Sequence, residues 1–546
     1  MEESTSAVPV KKGRPPRRIR RRPRRRHHHP RSTPSDHRRH GDLISDLNDD
    51  VLTHVLSFLP TTADVARACA VSRRWRRLAT RVPSLTFSSR IQHDLPKEKV
   101  YRLIAFINHV LAARAAADVE HLSISLDFWF ADDIAAAASA QLDAWIRYGM
   151  RHVSKSFSLK LTPDYHRNFI INNDGNDDDS LFLEVIPSYT ELETMTLSLD
   201  NATLNLPNVV KFNSLKHLTL EHIRLAAGSS RLLGRLMSSS CCPHLQKLEL
   251  TWIAGLTELH IDSGELLELS LLQRYDYSAI AELHLLELNT PKLRDLGVQN
   301  CYLQKLIIDA PRLEDLSLST MWSFNDIEQL GVSELSHVRK LLGIKMTTHG
   351  HHLHDRHVND CAILLLRQCT SVEFVGFSLR FTQGYYAEEE EVDMMKEIPS
   401  LPHVTKLWLS FFPQHEHTII ASIACLFTRC SSLKYLMLHM VNGTEREGGD
   451  QAISEDHPSI KLPNLQEIEI LGFQARQCEA SLVKWLHTTA PALKRIKLVF
   501  SYRFRKSSIK KLRKKLPFAE VGTWSSVPTD KCNREFEWTP MCEENM

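Results

Sequence analysis

Residues 283–318 read LHLLELNTPKLRDLGVQNCYLQKLIIDAPRLEDLSL. Apolar residues recur in this stretch at positions i, i+3 and i+5, and this unit of three returns every ten residues, in Leu283-Leu286-Leu288, Leu293-Leu296-Val298, Leu303-Leu306-Ile308 and Leu313-Leu316-Leu318. A helix would instead need apolar residues at i+4 and i+7. Side chains two residues apart on a strand share one face. The second and third apolar residues of each unit are therefore predicted to point inward, and the first to enter from the preceding turn.

The same spacing recurs on both sides of this stretch, and it is the L-x-x-L-x-L core of leucine-rich repeats. One strand cannot bury its inner face alone, so the units are expected to stack as a solenoid with a shared core. The further units are Val119-Leu122-Ile124, Leu192-Met195-Leu197, Leu215-Leu218-Leu220, Leu245-Leu248-Leu250, Leu256-Leu259-Ile261, Leu266-Leu269-Leu271, Val372-Val375-Phe377, Val404-Leu407-Leu409, Leu433-Leu436-Leu438, Leu465-Ile468-Ile470 and Leu493-Ile496-Leu498.

The distance between units predicts two kinds of turn. Repeats of this type take about 20–29 residues per turn, so units ten residues apart imply that alternate units line opposite sides of each turn. After residue 340 the spacing widens and helical patterns precede the units, at residues 358–368, 419–428 and 480–487. Another helix is predicted over residues 100–116.

The bulk composition excludes several classes. A chain of 546 residues is too long for one compact core. Its eleven cysteines include no C-x-x-C pair, which disfavours a disulfide framework and fits a reducing compartment. No run of 18 apolar residues predicts a transmembrane helix, and the N-terminus lacks the apolar core of a secretory signal.

Charge is concentrated at the N-terminus. Residues 11–40 hold 14 Lys or Arg and one acid, whereas the whole chain carries only +3. Residues 1–42 are therefore expected to form a disordered basic arm. Nuclear import and a solvated tail both remain open for it. Because the rest of the chain is net acidic, nucleic-acid binding is not expected outside residues 11–40.

A second stretch, from Asp42 to Leu85, predicts three short helices. The first runs from about Asn48 to Leu59, with its start capped by Asn48 and its end at Pro60. Thr62 or Asp64 opens the second helix, and Ser72 opens the third. A unit this small rarely buries enough apolar surface to stand alone, so it is expected to dock onto a partner.

The blocks Leu47–Leu52, Leu56–Pro60 and Val71–Leu78 resemble the F-box in order and spacing. That family binds the SKP-type adaptor of a cullin–RING ubiquitin ligase. The sequence departs from the family at Asn48, where the family usually has Pro. The resemblance implies that the adaptor-docking surface or its support comprises Leu47, Asp50, Leu52, Leu56, Leu59, Pro60, Val71 and Trp75.

Residues 462–523 carry a further resemblance, to the C-terminal FBD region of plant F-box proteins with leucine-rich repeats. It rests on Leu462-Pro463-Asn464-Leu465, Gly472-Phe473, the 482–486 helix and Ala490-Pro491-Ala492-Leu493. The family supplies no chemistry for this region.

Other clusters suggest chemistry less strongly. His349, His351, His352, His354 and His357, with Cys361 nearby, could bind zinc or copper, but a solvated loop is the preferred interpretation. Residues 174–179 lack the pattern of a calcium loop, and residues 388–391 form an acidic run. Residues 503–515 are a basic amphipathic pattern suited to capping a solenoid. The sequence contains no G-x-S-x-G, P-loop or Rossmann glycine pattern.

The predicted fold class is α/β: a small three-helix F-box followed by a leucine-rich-repeat solenoid, with thin turns first and strand-plus-helix turns later. The predicted segments are an arm (1–42), the F-box (43–88), the solenoid (89–460), an FBD-like segment (461–525) and a tail (526–546). The resemblance implies a non-catalytic substrate-recognition subunit in the nucleus and/or cytoplasm. Its partners would be the adaptor, through it a cullin, and a protein substrate, with no cofactor, no metal and no membrane. The alternative is a nuclear scaffold that binds nucleic acid or chromatin through the arm.

Overall fold

The computed structural model describes residues 44, 47–70, 72–90, 97–114, 119–127, 132–161, 182–183, 191–206, 211–226, 228–273, 283–319, 327, 329–350, 353–380, 392–411, 416–441, 459–474, 476–500, 522–527 and 535–540. The chain divides into two compact units, residues 1–51 and 52–546. Several predictions concern residues outside these described ranges. They are the basic arm (1–42), Val71, the acidic loops at 174–179 and 388–391, and the basic stretch at 503–515.

Three short helices occupy the region of the second predicted stretch. They are α1 (Asp49–Ser57), α2 (Thr62–Ala68) and α3 (Arg73–Ala79). Asn48 Oδ1 accepts a hydrogen bond from Val51 N at 2.8 Å, which confirms the predicted cap. Helix α1 ends two residues earlier than predicted, because Phe58 N and Leu59 N bond to the third carbonyl back and tighten the last turn.

A long sheet of mainly parallel strands forms one side of the solenoid. Its strands follow one another turn by turn, so the predicted stacking is confirmed. In spatial order they are β1 (Ser84–Arg90), β2 (Val119–Asp127), β3 (Val153–Leu161), β5 (Thr194–Leu204), β6 (His217–Leu225), β7 (Lys247–Ala254), β9 (Glu268–Leu272), β11 (Asp295–Gln299), β13 (Asp315–Ser319), β15 (Lys340–Thr347), β17 (Phe374–Arg380), β19 (Lys406–Phe411), β20 (Tyr435–Met440), β21 (Glu467–Phe473) and β22 (Arg495–Phe500), with short β4 (Phe182–Leu183) beside β5.

The thin turns are built from two sheets. Strands β8 (Glu258–Asp262), β10 (Leu285–Asn289), β12 (Lys305–Asp309) and β14 (Gln329–Val332) form a second parallel sheet, while β9, β11 and β13 belong to the long one. Alternate ten-residue units thus lie on opposite sides of each turn, as the sequence predicts.

Helices replace the second sheet elsewhere. After residue 340 they are α7 (Leu353–Gln368), α8 (Glu416–Arg429) and α9 (Gln477–Thr489), each starting a few residues before the predicted segment. Helices also precede the thin turns, namely α4 (Lys97–Ala113), α5 (Asp132–His152) and α6 (Ser230–Met237). The thin turns are therefore flanked by helical turns on both sides. A short antiparallel pair, β16 (His349–Gly350) and β18 (Val392–Asp393), and a 3-10 helix (Met394–Glu397) complete this part.

One continuous apolar core runs through the solenoid. The three pattern residues of each unit are buried, except that Leu318 is half-buried. In one unit, for example, Leu293, Leu296 and Val298 are 0%, 0% and 3% exposed. The first of them lies before its strand, as expected. Burying a Leu or Val side chain stabilises by about 1.5–3 kcal/mol, so the repeated pattern supplies most of the driving force for stacking.

The structure adds detail at two of the predicted segments. Within residues 43–88, Leu85 and Phe87 of β1 are buried in the solenoid core. Within residues 526–546, β24 (Glu535–Pro540) pairs antiparallel with β22 and with β23 (Gly522–Val527). Phe536 and Trp538 of β24 are both only 2% exposed. Their alternation with Glu535 and Glu537 was a strand signal that the sequence interpretation missed.

Gly472 in the FBD-like segment occupies a position that a side chain would strain. Its φ is +76°, and a Cβ there would collide with the carbonyl oxygen of Met440 on the neighbouring turn. Gly228 has a similar φ of +77°, but a Cβ there would meet nothing within 4 Å.

We expect Gly472→Ala to lower the free energy of unfolding by about 2–4 kcal/mol, since it combines backbone strain with a clash. Gly228→Ala should cost only the strain, about 1–2 kcal/mol. Urea denaturation of both variants measures the difference, and equal costs would show that the contact with Met440 does not constrain residue 472.

Candidate functional site

The three-helix region has a small apolar core of its own. Leu52, Leu56, Val65, Leu78 and Val82 are buried together, and neighbouring side chains such as Leu59 and Trp75 pack against them. The helices are held at their starts by side-chain caps. Thr61 Oγ1 accepts from Asp64 N at 3.2 Å, and Ser72 Oγ accepts from Trp75 N at 3.2 Å.

The predicted docking residues differ in burial. Leu52 and Leu56 are 1% and 0% exposed, which is compatible with the supporting position that the resemblance allows. Leu59 and Trp75 are half-buried and also pack on this core. Pro60 is exposed. Leu47 and Asp50, which belong to the compact unit of residues 1–51, are exposed as well.

Two exposed apolar side chains in residues 52–60 are not among the predicted docking residues. Val55 is 43% exposed and Phe58 is 73% exposed. The Phe58 ring contacts the His54 ring edge-on, with centroids 4.7 Å apart. The exposure of Val55 and Phe58 favours a docking role, because large apolar and aromatic side chains exposed together are typical of interaction surfaces.

The missed signal was present in the helix pattern. Leu52, Leu56 and Leu59 recur at one helical spacing, and Val55 and Phe58 follow the same spacing displaced by one residue. One residue turns a helix by about 100°, so the two sets lie on different faces. An apolar stripe of that width serves both an internal core and an outer surface.

The three-helix region is fastened to the first repeats by polar contacts. Thr86 N of β1 donates to Thr62 Oγ1 at 2.8 Å. Arg114, after α4, is 3% exposed and donates from its guanidinium to Ala79 O at 3.2 Å and to Val82 O at 2.6 Å. Burial lowers the pKa of Arg114.

Helix α5 braces α4 in turn. Asn108 and Gln141 exchange side-chain amide hydrogen bonds of 2.7 and 2.8 Å, and Trp145 Nε1 donates to Asn108 Oδ1 at 2.8 Å. The helix that presents Arg114 is thus itself fixed, and the three-helix region has a defined orientation on the first turns of the solenoid.

The other candidate sites are the histidine cluster near residue 350 and its neighbour Cys361. Within them, no group of three or more His, Cys, Asp or Glu side chains is arranged to hold a metal ion. His349 lies in β16 and His354 and His357 in α7, whereas His351 and His352 lie outside the described residues. Cys361 is half-buried and donates to Ile327 O at 3.0 Å. No helix in the described ranges is both long and apolar enough to cross a membrane.

A capped three-helix region fixed to a parallel, leucine-rich solenoid agrees with the predicted architecture of an F-box followed by leucine-rich repeats. Comparison with known proteins agrees. Residues 44–86 match the family described as F-box-like. The chain thus contains an F-box-like domain, and the fold that follows it in the sequence is a leucine-rich-repeat solenoid.

Similar proteins occur in Arabidopsis thaliana. The chain is 27% identical over 299 residues to a putative FBD-associated F-box protein, covering 52% of this chain and 57% of the relative. It is 27% identical to an F-box/LRR-repeat protein, covering 53% of each. It is 24% identical over 489 residues to a putative F-box/FBD/LRR-repeat protein, covering 85% of this chain and 90% of the relative. The match thus spans about half the length of the first two relatives and most of the third.

We expect Arg114→Ala to weaken the attachment of α3 to the repeats by about 2–4 kcal/mol, because two carbonyl oxygens lose a charged donor. Native-state hydrogen exchange of the α3 amides measures this local free energy. Arg151→Ala is the matched control, since Arg151 is exposed on α5. Equal α3 protection in the two variants would show that Arg114 is not the fastening residue.

Proposed function

We propose that this protein is the substrate-recognition subunit of an SKP–cullin–F-box type E3 ubiquitin ligase. The observation that carries the proposal is the F-box-like domain at residues 44–86, with Val55 and Phe58 exposed beside a compact core. In this proposal the domain binds an SKP-type adaptor, and through it a cullin, while the solenoid binds the protein to be ubiquitinated.

In this proposal the chain brings the reactants together and does not itself take part in the chemical reaction. Holding a substrate lysine near a charged conjugating enzyme raises the effective concentration of the two reactants. The fastening by Arg114 and Thr62 supports this role, because a fixed angle between the domain and the first repeats restricts where a bound substrate can lie. The proposed compartment is the nucleus, the cytoplasm or both, on the strength of the basic run before residue 40.

A double substitution at the exposed pair tests adaptor binding. We expect Val55→Asp with Phe58→Ala to weaken binding to a purified SKP-type adaptor by about tenfold or more, or about 1.4 kcal/mol, because exposed apolar anchors dominate protein interfaces. Isothermal titration calorimetry with the full chain gives the dissociation constant.

Leu364→Ala is the matched control, because Leu364 is an exposed apolar residue of α7, with 38% of its surface accessible. It should leave adaptor affinity unchanged. A folded double variant that binds the adaptor as tightly as the parent protein would refute the assignment of Val55 and Phe58 to the docking surface.

A further inference from the structure

The outward side of the long sheet changes its chemistry along the stack. Strand positions that alternate with the buried ones face away from the core. In the first strands these positions hold short hydroxyl side chains, in register from strand to strand: Thr86, Ser123, Ser158, Thr196 and Thr219. Such a surface is readily solvated.

Further along the stack, large apolar side chains occupy the same positions on two neighbouring strands. Trp408 and Met437 are in register on β19 and β20, next to Gly376 on β17. Phe374 and Tyr435 lie in the adjacent row, on either side of Lys406. With Leu342 of β15 these side chains form what we call the outer apolar patch, which comprises Leu342, Phe374, Trp408, Tyr435 and Met437.

The patch is separate from the solenoid core. All five side chains are half-buried, and within the described chain none belongs to the core or to the side chains packed against it. Gly376 makes the patch continuous. A Cβ there would lie 2.8 Å from Leu342 Cδ2 and 3.4 Å from Trp408 Cε3, so these two side chains close over the glycine. A contiguous apolar area on a sheet face is typical of an interaction surface.

Polar atoms in the patch differ in their partners. The Tyr435 hydroxyl donates to Glu469 Oε2 at 2.6 Å, which holds the ring in place. Trp408 Nε1 is buried and has no hydrogen-bond partner among the described residues. An N–H enclosed without an acceptor destabilises the free protein, and a turn of the ring toward an acceptor on a bound partner would remove that penalty.

Three acidic side chains share the register row of Phe374 and are separated from it by Lys340 of β15. Glu268, Asp295 and Asp315 lie side by side on β9, β11 and β13. Lys247 lies 3.0 Å from Glu268, and Lys340 lies 3.1 Å from Asp315.

Asp295, the middle carboxylate of the three, has no ion-pair partner among the described residues. Desolvation and the neighbouring Asp315 raise the pKa of Asp295, while Lys340 and Lys247 act in the opposite direction. Because Asp295 is exposed and neither lysine lies within ion-pair distance of it, a cation from outside the chain would find a complementary charge there.

We propose that the outer apolar patch and Asp295 together bind one extended segment of a partner protein, which carries a Lys or Arg side chain and large apolar side chains about four to six residues from it. This inference rests on the proposed function, because the segment would belong to the substrate of the ligase.

The strand spacing sets that separation. From β11 to β17 there are three strand steps, and to β19 there are four. At about 4.8 Å per step the distances are about 14 and 19 Å, which an extended chain covers in about four and six residues at 3.3 Å each. Charge complementarity at Asp295 decides the occupant. An acidic segment would meet a carboxylate that no ion pair of the described residues offsets, whereas Lys247 and Lys340 already offset its neighbours Glu268 and Asp315.

The test is selection from a displayed library of random peptides about twelve residues long, enough to span this distance, on the full-length protein. We expect the enriched peptides to pair a basic residue with apolar residues at the stated separation. Trp408→Ser and Asp295→Lys should each weaken binding of a synthetic consensus peptide by about tenfold or more. Replacing the basic residue of the peptide with Glu should restore binding to Asp295→Lys.

The matched controls are Thr196→Ala on the hydroxyl-rich strands and Glu314→Lys at an exposed acid before β13. Neither should change peptide affinity. Enriched peptides without a basic residue, a consensus peptide indifferent to both test variants, or self-association abolished by Trp408→Ser would each overturn the proposal. Adaptor affinity of the same variants should stay at the parental value, so a failure here is distinct from a failure of the proposed ligase role.

Discussion

The structure depends on one constraint: every turn of the solenoid must bury a strand face that it cannot cover alone. The inward side chains at alternate strand positions meet those of the turns before and after, in register along the whole sheet. Where a second strand closes the turn, as with β8 to β14, the core is filled from both sides by the same spacing. Where a helix closes it, the spacing between units widens. Both kinds of turn are solutions to the same burial problem.

This constraint explains why so much of the fold could be predicted. The pattern of Leu293, Leu296 and Val298 reports burial directly, because a strand has only two faces. Helix bounds were less accurate, since α7 to α9 begin before their apolar stripes do. Strand β24 was missed because it contributes a single alternating run that belongs to no repeat.

The candidate site was harder to predict than the fold. A family resemblance identifies positions but does not say which face each one occupies. Leu56 and Phe58 stand two residues apart, yet one is 0% exposed and the other 73%. Only the packing of α2 and α3 against α1 separates them. The contact of Arg114 with Ala79 and Val82 could not be foreseen either, because it joins residues more than thirty positions apart.

The antiparallel closure by β24 has a consequence for how the protein is made. A parallel stack ends in an unpaired strand edge, which readily recruits other strands. β24 pairs with β22 but comes after every repeat in the chain. During synthesis, therefore, the edge of β22 stays open until residues 535–540 have left the ribosome. A product cut short before Glu535 would leave the edge of β22 open to pairing with other chains, whereas in the described structure the short strand β23 stands at that end.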